Sequence, residues 1–173
     1  MEKSTEKELQ ILVLGLCRTG TYSLKAALSE LGYNVYHMAS VWRSPGHADL
    51  WTEAFERKFG EKGEVLDKDV VGKEDFERIL KGWDVVTDIP AACFGPELIA
   101  AYPDAKIILT TRETEGWVRS MRGTIWGSQA DPLRPIDKLF YNKHFSSVAR
   151  MMETFFDTYF YGDFPRFGAR VFE

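Results

Sequence analysis

Near the amino end, Gly15-Leu-Cys17-Arg18-Thr19-Gly20-Thr21-Tyr22-Ser23 sets glycines, hydroxyl side chains, an arginine and a cysteine between the apolar run Ile11-Leu-Val-Leu14 and a helical pattern. Backbone N–H groups of such a loop converge on the start of the next helix. An anion there meets oriented donors and a dipole contribution of about 0.3–1 kcal/mol. The chemistry on offer is the holding of a phosphate or sulfate; the alternative is a strand-to-helix turn with no ligand. Two further chemical groups stand at the ends of apolar runs, Asp88 after Val85-Val-Thr87 and Arg112 after Ile107-Ile-Leu-Thr-Thr111.

Alternating strand and helix patterns would position these groups. Strands are expected at 11–14, 34–38, 84–88 and 106–110, with helices to about Leu31 and over 47–59, 74–81, 94–102 and 113–122. Thr21 or Ser23 is the expected cap of the first helix, and Gly32 its stop. Apolar strands alternating with helices predict an α/β fold, a parallel sheet of about four strands flanked by helices on both faces. Ligands of such sheets bind beyond the carboxyl ends of the strands, which puts Gly15–Thr21, Asp88 and Thr111–Arg112 on one rim. Pro132 and Pro135 interrupt the chain, and Ile136 to about Tyr161 reads as one or two aromatic-rich helices before a final helical start.

The 173 residues carry a net charge of −4 with both signs mixed. One domain over 1–173 is the expectation, with residues 1–9 frayed. No basic stripe points to nucleic acid, and no apolar run approaches the roughly 20 residues of a membrane span. Cys17 and Cys93 form no disulfide framework, which fits a reducing compartment such as the cytoplasm. No His, Cys and carboxylate cluster has metal-ligand spacing.

The loop can be weighed against known cradles. In G-x-x-x-x-G-K-[ST], Thr21 stands at the lysine position and Tyr22 at the magnesium-binding hydroxyl, which argues against an ordinary ATPase. In the cysteine phosphatase pattern C-x-x-G-x-x-R, Ser23 replaces the arginine, so Cys17 reads as a small loop residue, although a helix terminus could still favour its thiolate. Cys17-Arg18-Thr19-Gly20-Thr21-Tyr22 best resembles the P-K-S-G-T-[TS] loop of sulfotransferases, which holds the 5′-phosphosulfate of 3′-phosphoadenosine 5′-phosphosulfate (PAPS). Arg18 takes the lysine's place, keeping the charge and adding a planar fork of donors.

Ile107-Ile-Leu-Thr-Thr-Arg112 followed by Ser120 resembles the same family's strand-arginine and serine, which hold the nucleotide's 3′-phosphate. Arginine and hydroxyl near a helix start suit a phosphate; the alternative is an ion pair of Arg112 with Glu113 or Glu115. Thr87-Asp88-Ile89-Pro90 resembles the family's T-H-x-P, with Asp88 in the position of the histidine that takes the acceptor's proton. Burial would raise the Asp88 pKa and Arg18 would lower it, and the sign of the balance is not readable from the sequence. A helix cap or an arginine partner is the other reading of Asp88.

Over residues 11–122 the chain thus resembles the P-loop sulfotransferase-like family, whose members are often mislabelled as NAD-dependent epimerases. The resemblance implies a PAPS-binding transferase. Asp88, Arg18 and His37 would be its catalytic residues, and Cys17 to Ser23, Arg112 and Ser120 its binding residues. No metal is implied. The acceptor would be a small-molecule hydroxyl, with the five tryptophans and twelve phenylalanines suiting an aromatic or apolar one. His37 and His47 are candidates for the acceptor side, and His144 a lesser one.

Departures from the pattern keep a second reading open. Ser23 replaces the tryptophan that stacks on adenine, and no late glycine-rich basic segment is present. The fold could instead host acid–base chemistry of Asp88 and His37 on a carbonyl or ester, as in lactone formation or hydrolysis, or bind a nucleotide without catalysis. Family members continue to a further strand and helix past this terminus. A sheet edge left open without them would want a partner, a second copy of the chain among the candidates.

Overall fold

The computed structural model describes residues 8–59, 71–130 and 143–173. In chain order they form β1 (Ile11–Val13), α1 (Thr21–Glu30), β2 (Val35–Tyr36), α2 (Met38–Val41), α3 (His47–Lys58), α4 (Lys73–Leu80) and β3 (Val85–Thr87). A 3-10 turn (Ala91–Phe94), α5 (Gly95–Ala101), β4 (Lys106–Ile108), α6 (Thr114–Arg122), α7 (Ile125–Gln129), α8 (Lys143–Tyr159) and α9 (Phe164–Phe172) follow. The first seven residues of the expected frayed terminus, the connection after Gly60 and the Pro132–Pro135 break lie outside the described residues. No helix among the described residues is long and apolar enough to cross a membrane.

The chain divides into two compact units, Met1–Ser40 with Val71–Thr111, and Val41–Val70 with Arg112–Glu173. The first unit holds an all-parallel four-stranded sheet in the order β2-β3-β1-β4, with Val13 level with Thr87 on one side and Ile108 on the other. This is the α/β sheet expected from the alternation of apolar runs and helices. Ile11, Val13, Leu28, Val35 and Val85 make a core cluster, with Leu24, Tyr33 and Ile108 packed against it. Each such side chain contributes about 1.5–3 kcal/mol when fully buried.

Asp84, buried at the amino end of β3, ties three strands together. Its Oδ1 accepts from Gln10 Nε2 at 3.2 Å and its Oδ2 from the Asn34 amide at 2.8 Å. Its own amide donates to the Asn34 carbonyl, and its carbonyl accepts from the Gln10 amide. Both of these bonds to the carboxylate come from the entry to a neighbouring strand. Register is therefore pinned at the rim where the chain enters the sheet.

Three local expectations are corrected. The second strand ends at Tyr36 rather than at Met38, and Met38–Val41 is a helical turn, with Ser40 N–H bonded back to the His37 carbonyl at 2.6 Å. β4 is not buried: it pairs with β1 alone among the described strands, and Ile107 and Leu109 are 52% and 67% exposed. Neither Thr21 nor Ser23 caps α1; the cap position is Gly20 in the left-handed region (φ 93°), with no side-chain bond. Without a Cβ, glycine adopts that conformation at no steric cost.

The second unit is helical and aromatic. α3 and α8 are joined by an Arg150 bond to Asp49 at 2.7 Å, a Ser147 bond to the same carboxylate, and ring contacts of Phe55 with Phe155 and Phe59 with Tyr159. Trp117 of α6 is fully buried, stacks on Phe172 of α9 at 4.2 Å and touches Phe160 and Phe164. Within this unit Trp51 and Trp117 are therefore core, whereas Trp42 and Phe145 form an exposed pair.

Candidate active site

The first unit assembles its chemical groups at the carboxyl ends of β1 and β3. After β1 the loop passes so close to β4 that a Cβ on Gly15 would collide with the hydroxyl and carbonyl of Thr110. Thr19 donates its hydroxyl to the Leu16 carbonyl at 2.6 Å. With that proton committed, the 2.7 Å contact between Thr19 Oγ1 and Thr110 Oγ1 has Thr110 as donor. The Thr19 side chain thus holds the loop's shape, and its amide remains the group suited to an anion. Arg18 sits exposed in the left-handed region (φ 69°).

Cys17 is buried, and burial, seconded by the Asp88 carboxylate and Cys93, pushes its thiol well above the ordinary value despite the Arg18 charge. The direction is opposite to the one a helix terminus alone would give, in line with the reading of Cys17 as a small loop residue. Desolvation of a buried sulfur outweighs the dipole, and Cys17 is a neutral loop residue rather than a nucleophile.

Asp88 follows β3 and is 4% exposed. Its φ of 70° lies in the left-handed region, and the cis Ile89–Pro90 bond comes next. A non-glycine residue held there is strained, a feature that gathers at functional sites. Oδ2 lies 3.1 Å from His37 Nε2. Oδ1 is buried without a hydrogen-bond partner among the described residues, as is the neighbouring Thr87 hydroxyl. Burial pushes the carboxyl up to about 7, against the opposing pull of the Ile89 amide, the Thr21 hydroxyl, the Met38 amide and the Arg18 charge.

His37 is held at the end of β2. Its Nδ1 accepts the Ala39 amide at 3.0 Å, and its own amide donates to Ser40 Oγ. An N–H donor at Nδ1 requires that nitrogen to be unprotonated, so the proton of the neutral ring is on Nε2. That N–H faces Asp88 Oδ2, with the Thr21 hydroxyl oxygen 3.4 Å away. Burial, with the Lys25 charge as a second cause, lowers the His37 pKa to about 4. The pair is therefore a neutral imidazole donating to a carboxyl group, rather than an ion pair at neutral pH.

The structure brings Cys17 to Ser23, His37 and Asp88 together in one unit. Ser23 is exposed on α1, and the Tyr22 ring stands edge-on to His37 at 5.5 Å. Arg112 is exposed and Ser120 half-buried on α6, both in the second unit. There the Glu113 carboxylate accepts from the amides of Glu115 and Gly116 and caps α6. His47 opens α3 in that unit, its pKa lowered by burial, and the His144 side chain lies outside the described residues.

Among the described residues no group of His, Cys, Asp and Glu is arranged to hold a metal ion. A cavity of about 440 Å³ opens at the amino ends of the strands, lined by Glu8, Glu74, Glu77, Arg78, Lys81 and Tyr102. Its charges are mixed, and the buried side-chain oxygens without a partner among the described residues lie elsewhere, on Thr87 and Asp88. Sequence reasoning missed Asp84 and the neutral lock on His37. The Asp84 bonds join residues 50 and 74 positions apart, and the neutrality of His37 comes from burial, neither of which leaves a signal in a single sequence.

A family model described as a sulfotransferase domain matches residues 10–173. The chain is also 46% identical over 117 residues to a protein of Aspergillus versicolor called Ava biosynthesis cluster protein M. The match covers 68% of this chain and 43% of that protein, so the chain spans less than half the length of the curated relative it matches.

Proposed function

Because this chain belongs to the sulfotransferase domain family, we propose that it uses the family's fold for acid–base chemistry by Asp88 on a carbonyl or ester of a small molecule, without a sulfuryl donor. The observation that carries this reading is Asp88 Oδ1, a buried carboxyl oxygen with no hydrogen-bond partner among the described residues, whose sister oxygen faces a neutral imidazole. A buried polar atom without a partner costs about 1–3 kcal/mol, and a substrate hydroxyl would recover it.

With its pKa about 7, Asp88 populates both protonation states at neutral pH, as a group that takes and returns a proton must. Ionised Oδ1 accepts the proton of an attacking hydroxyl, from the substrate itself in lactone formation or from water in hydrolysis. The protonated carboxyl then gives that proton to the departing oxygen, and the cycle closes with no net change. His37 orients the carboxyl through Oδ2. The uncapped start of α1 and Arg18 are the groups suited to negative charge on the carbonyl oxygen.

Family membership and the uncapped turn Gly20–Tyr22 also favour a second reading, sulfuryl transfer from PAPS to a hydroxyl. In it the loop from Cys17 to Ser23 would hold the 5′-phosphosulfate, and Asp88 would take the acceptor's proton. The two readings separate in one assay, 4-nitrophenyl acetate and a set of hydroxy esters offered without nucleotide, and phenols offered with PAPS. Donor-free product that vanishes in Asp88→Asn supports the acid–base reading. Sulfated product alone overturns it in favour of PAPS, and binding of 3′-phosphoadenosine 5′-phosphate with no turnover overturns both in favour of a nucleotide-binding protein.

A further inference from the structure

We propose that Tyr22 is the platform on which the ligand of this site stacks, and that the ligand is a planar, conjugated molecule bearing the hydroxyl or carbonyl that reacts. The identity of the reacting group rests on the acid–base reading above; the stacking does not.

Tyr22 lies in the first turn of α1 and is 67% exposed. The helix meets the core through Thr21, Leu24 and Leu28, so Tyr22 neither fills the core nor caps the helix. The other large apolar side chains exposed on this unit, Leu31, Ile99, Ile107 and Leu109, are aliphatic. Among the described residues, its one exposed large aromatic ring therefore stands at the site.

The ring also has a contact that orients it toward the site. It meets His37 edge to face, with centroids 5.5 Å apart and planes at 81°. A perpendicular contact uses little of the tyrosine's surface and leaves ring area open to solvent. An aromatic already oriented by a contact loses less freedom when a second ring stacks on it. The loop leading into this turn carries Arg18, and the amides that follow Gly20 have no side-chain cap, so a ring stacked on Tyr22 would have its polar edge toward donors. An aliphatic alcohol would find the same donors but no stack.

The test measures binding rather than turnover. 1-Naphthol and its saturated counterpart decahydro-1-naphthol are titrated by calorimetry or ligand-observed NMR into the whole chain and into Tyr22→Ala, Tyr22→Phe and Asp88→Asn. The expected result is a preference of about tenfold for 1-naphthol, lost in Tyr22→Ala and kept in Tyr22→Phe and Asp88→Asn. Because Tyr22 is exposed, Tyr22→Ala should melt with the parent, which shows that a lost preference is not lost folding. No preference in the parent chain, or one that survives Tyr22→Ala, overturns the stacking proposal and leaves the acid–base reading standing. A preference that depends on Tyr22 in a chain with no donor-free turnover leaves the stacking standing and removes the acid–base reading.

Discussion

Two buried aspartates stand at the two ends of β3, and they have opposite fates. Asp84 at the entry is 3% exposed, with both carboxyl oxygens occupied by donors from the neighbouring strands. Asp88 at the exit is 4% exposed, with one oxygen given to His37 and the other given to nothing described. Burial alone therefore does not mark a functional carboxylate. The discriminating quantity is how much of its hydrogen-bonding capacity the fold consumes. Where the fold takes all of it the group is structural, and where a valence is left over the group is available to chemistry.

The sharpest way to break this contrast is to neutralise each aspartate and follow activity. Asp88→Asn should lower donor-free turnover by about 10²–10⁴-fold, the usual worth of a general acid–base group. Asp84→Ala should leave turnover per folded molecule near the parent's. A parent rate that rises with pH through about 7 would mark ionised Asp88 as the base, and this limb should vanish in Asp88→Asn.

Stability against pH gives the next largest effect. The folded pKa of Asp88 is raised from 3.8 to about 7, so between these values the native state binds more protons than the unfolded one. Stability from this group is complete below pH 3.8 and falls as pH rises through 7, by on the order of 4 kcal/mol. His37 acts in the opposite sense: its pKa is lowered from 6.5 to about 4, so stability is lost as pH falls from 6.5 to 4. In the parent the two slopes largely cancel between pH 4 and 6.5. Denaturant melts should show Asp88→Asn losing stability on acidification through that window, and His37→Asn losing it on alkalinisation. Parallel curves for the two variants would contradict both assignments.

Removing the satisfied carboxylate comes next. Asp84→Ala leaves the part-buried Asn34 amide and the Gln10 side chain without their acceptor, a cost of about 1–3 kcal/mol in urea unfolding at every pH above the carboxylate range. Asp88→Asn should instead raise stability at pH 8, because it removes a buried charge. Gly15→Ala is expected to cost a comparable amount, about 1–3 kcal/mol, the usual range for overpacking, from crowding against the Thr110 hydroxyl and backbone carbonyl. Its melting temperature should stay low when Thr110→Ser is added, because that change keeps the hydroxyl and the backbone carbonyl that a Cβ at Gly15 would meet.

Much of this arrangement was legible without coordinates, because its signals are local. Four apolar runs, glycines after the first, and a carboxylate after the third determine a parallel sheet with a loop and Asp88 on its carboxyl rim. Local rules misled where a tertiary contact competed with them. Thr21 has the right chemistry to cap α1, yet its hydroxyl faces His37 while Gly20 makes the turn. Ile107 and Leu109 read as core, yet β4 has a neighbour on one side only among the described strands.

The sequence by itself determined the order of the elements, the rim at which the loop and Asp88 meet, and the family resemblance, since all three follow from spacing along the chain. Only the tertiary structure decided the sign of the Asp88 shift, the protonation of Cys17 and the neutrality of His37. Each of these is a balance between desolvation and the partners that folding supplies. Desolvation depends on every atom packed around the group, and the Ala39 amide that locks His37 acts only once the chain turns at the end of β2.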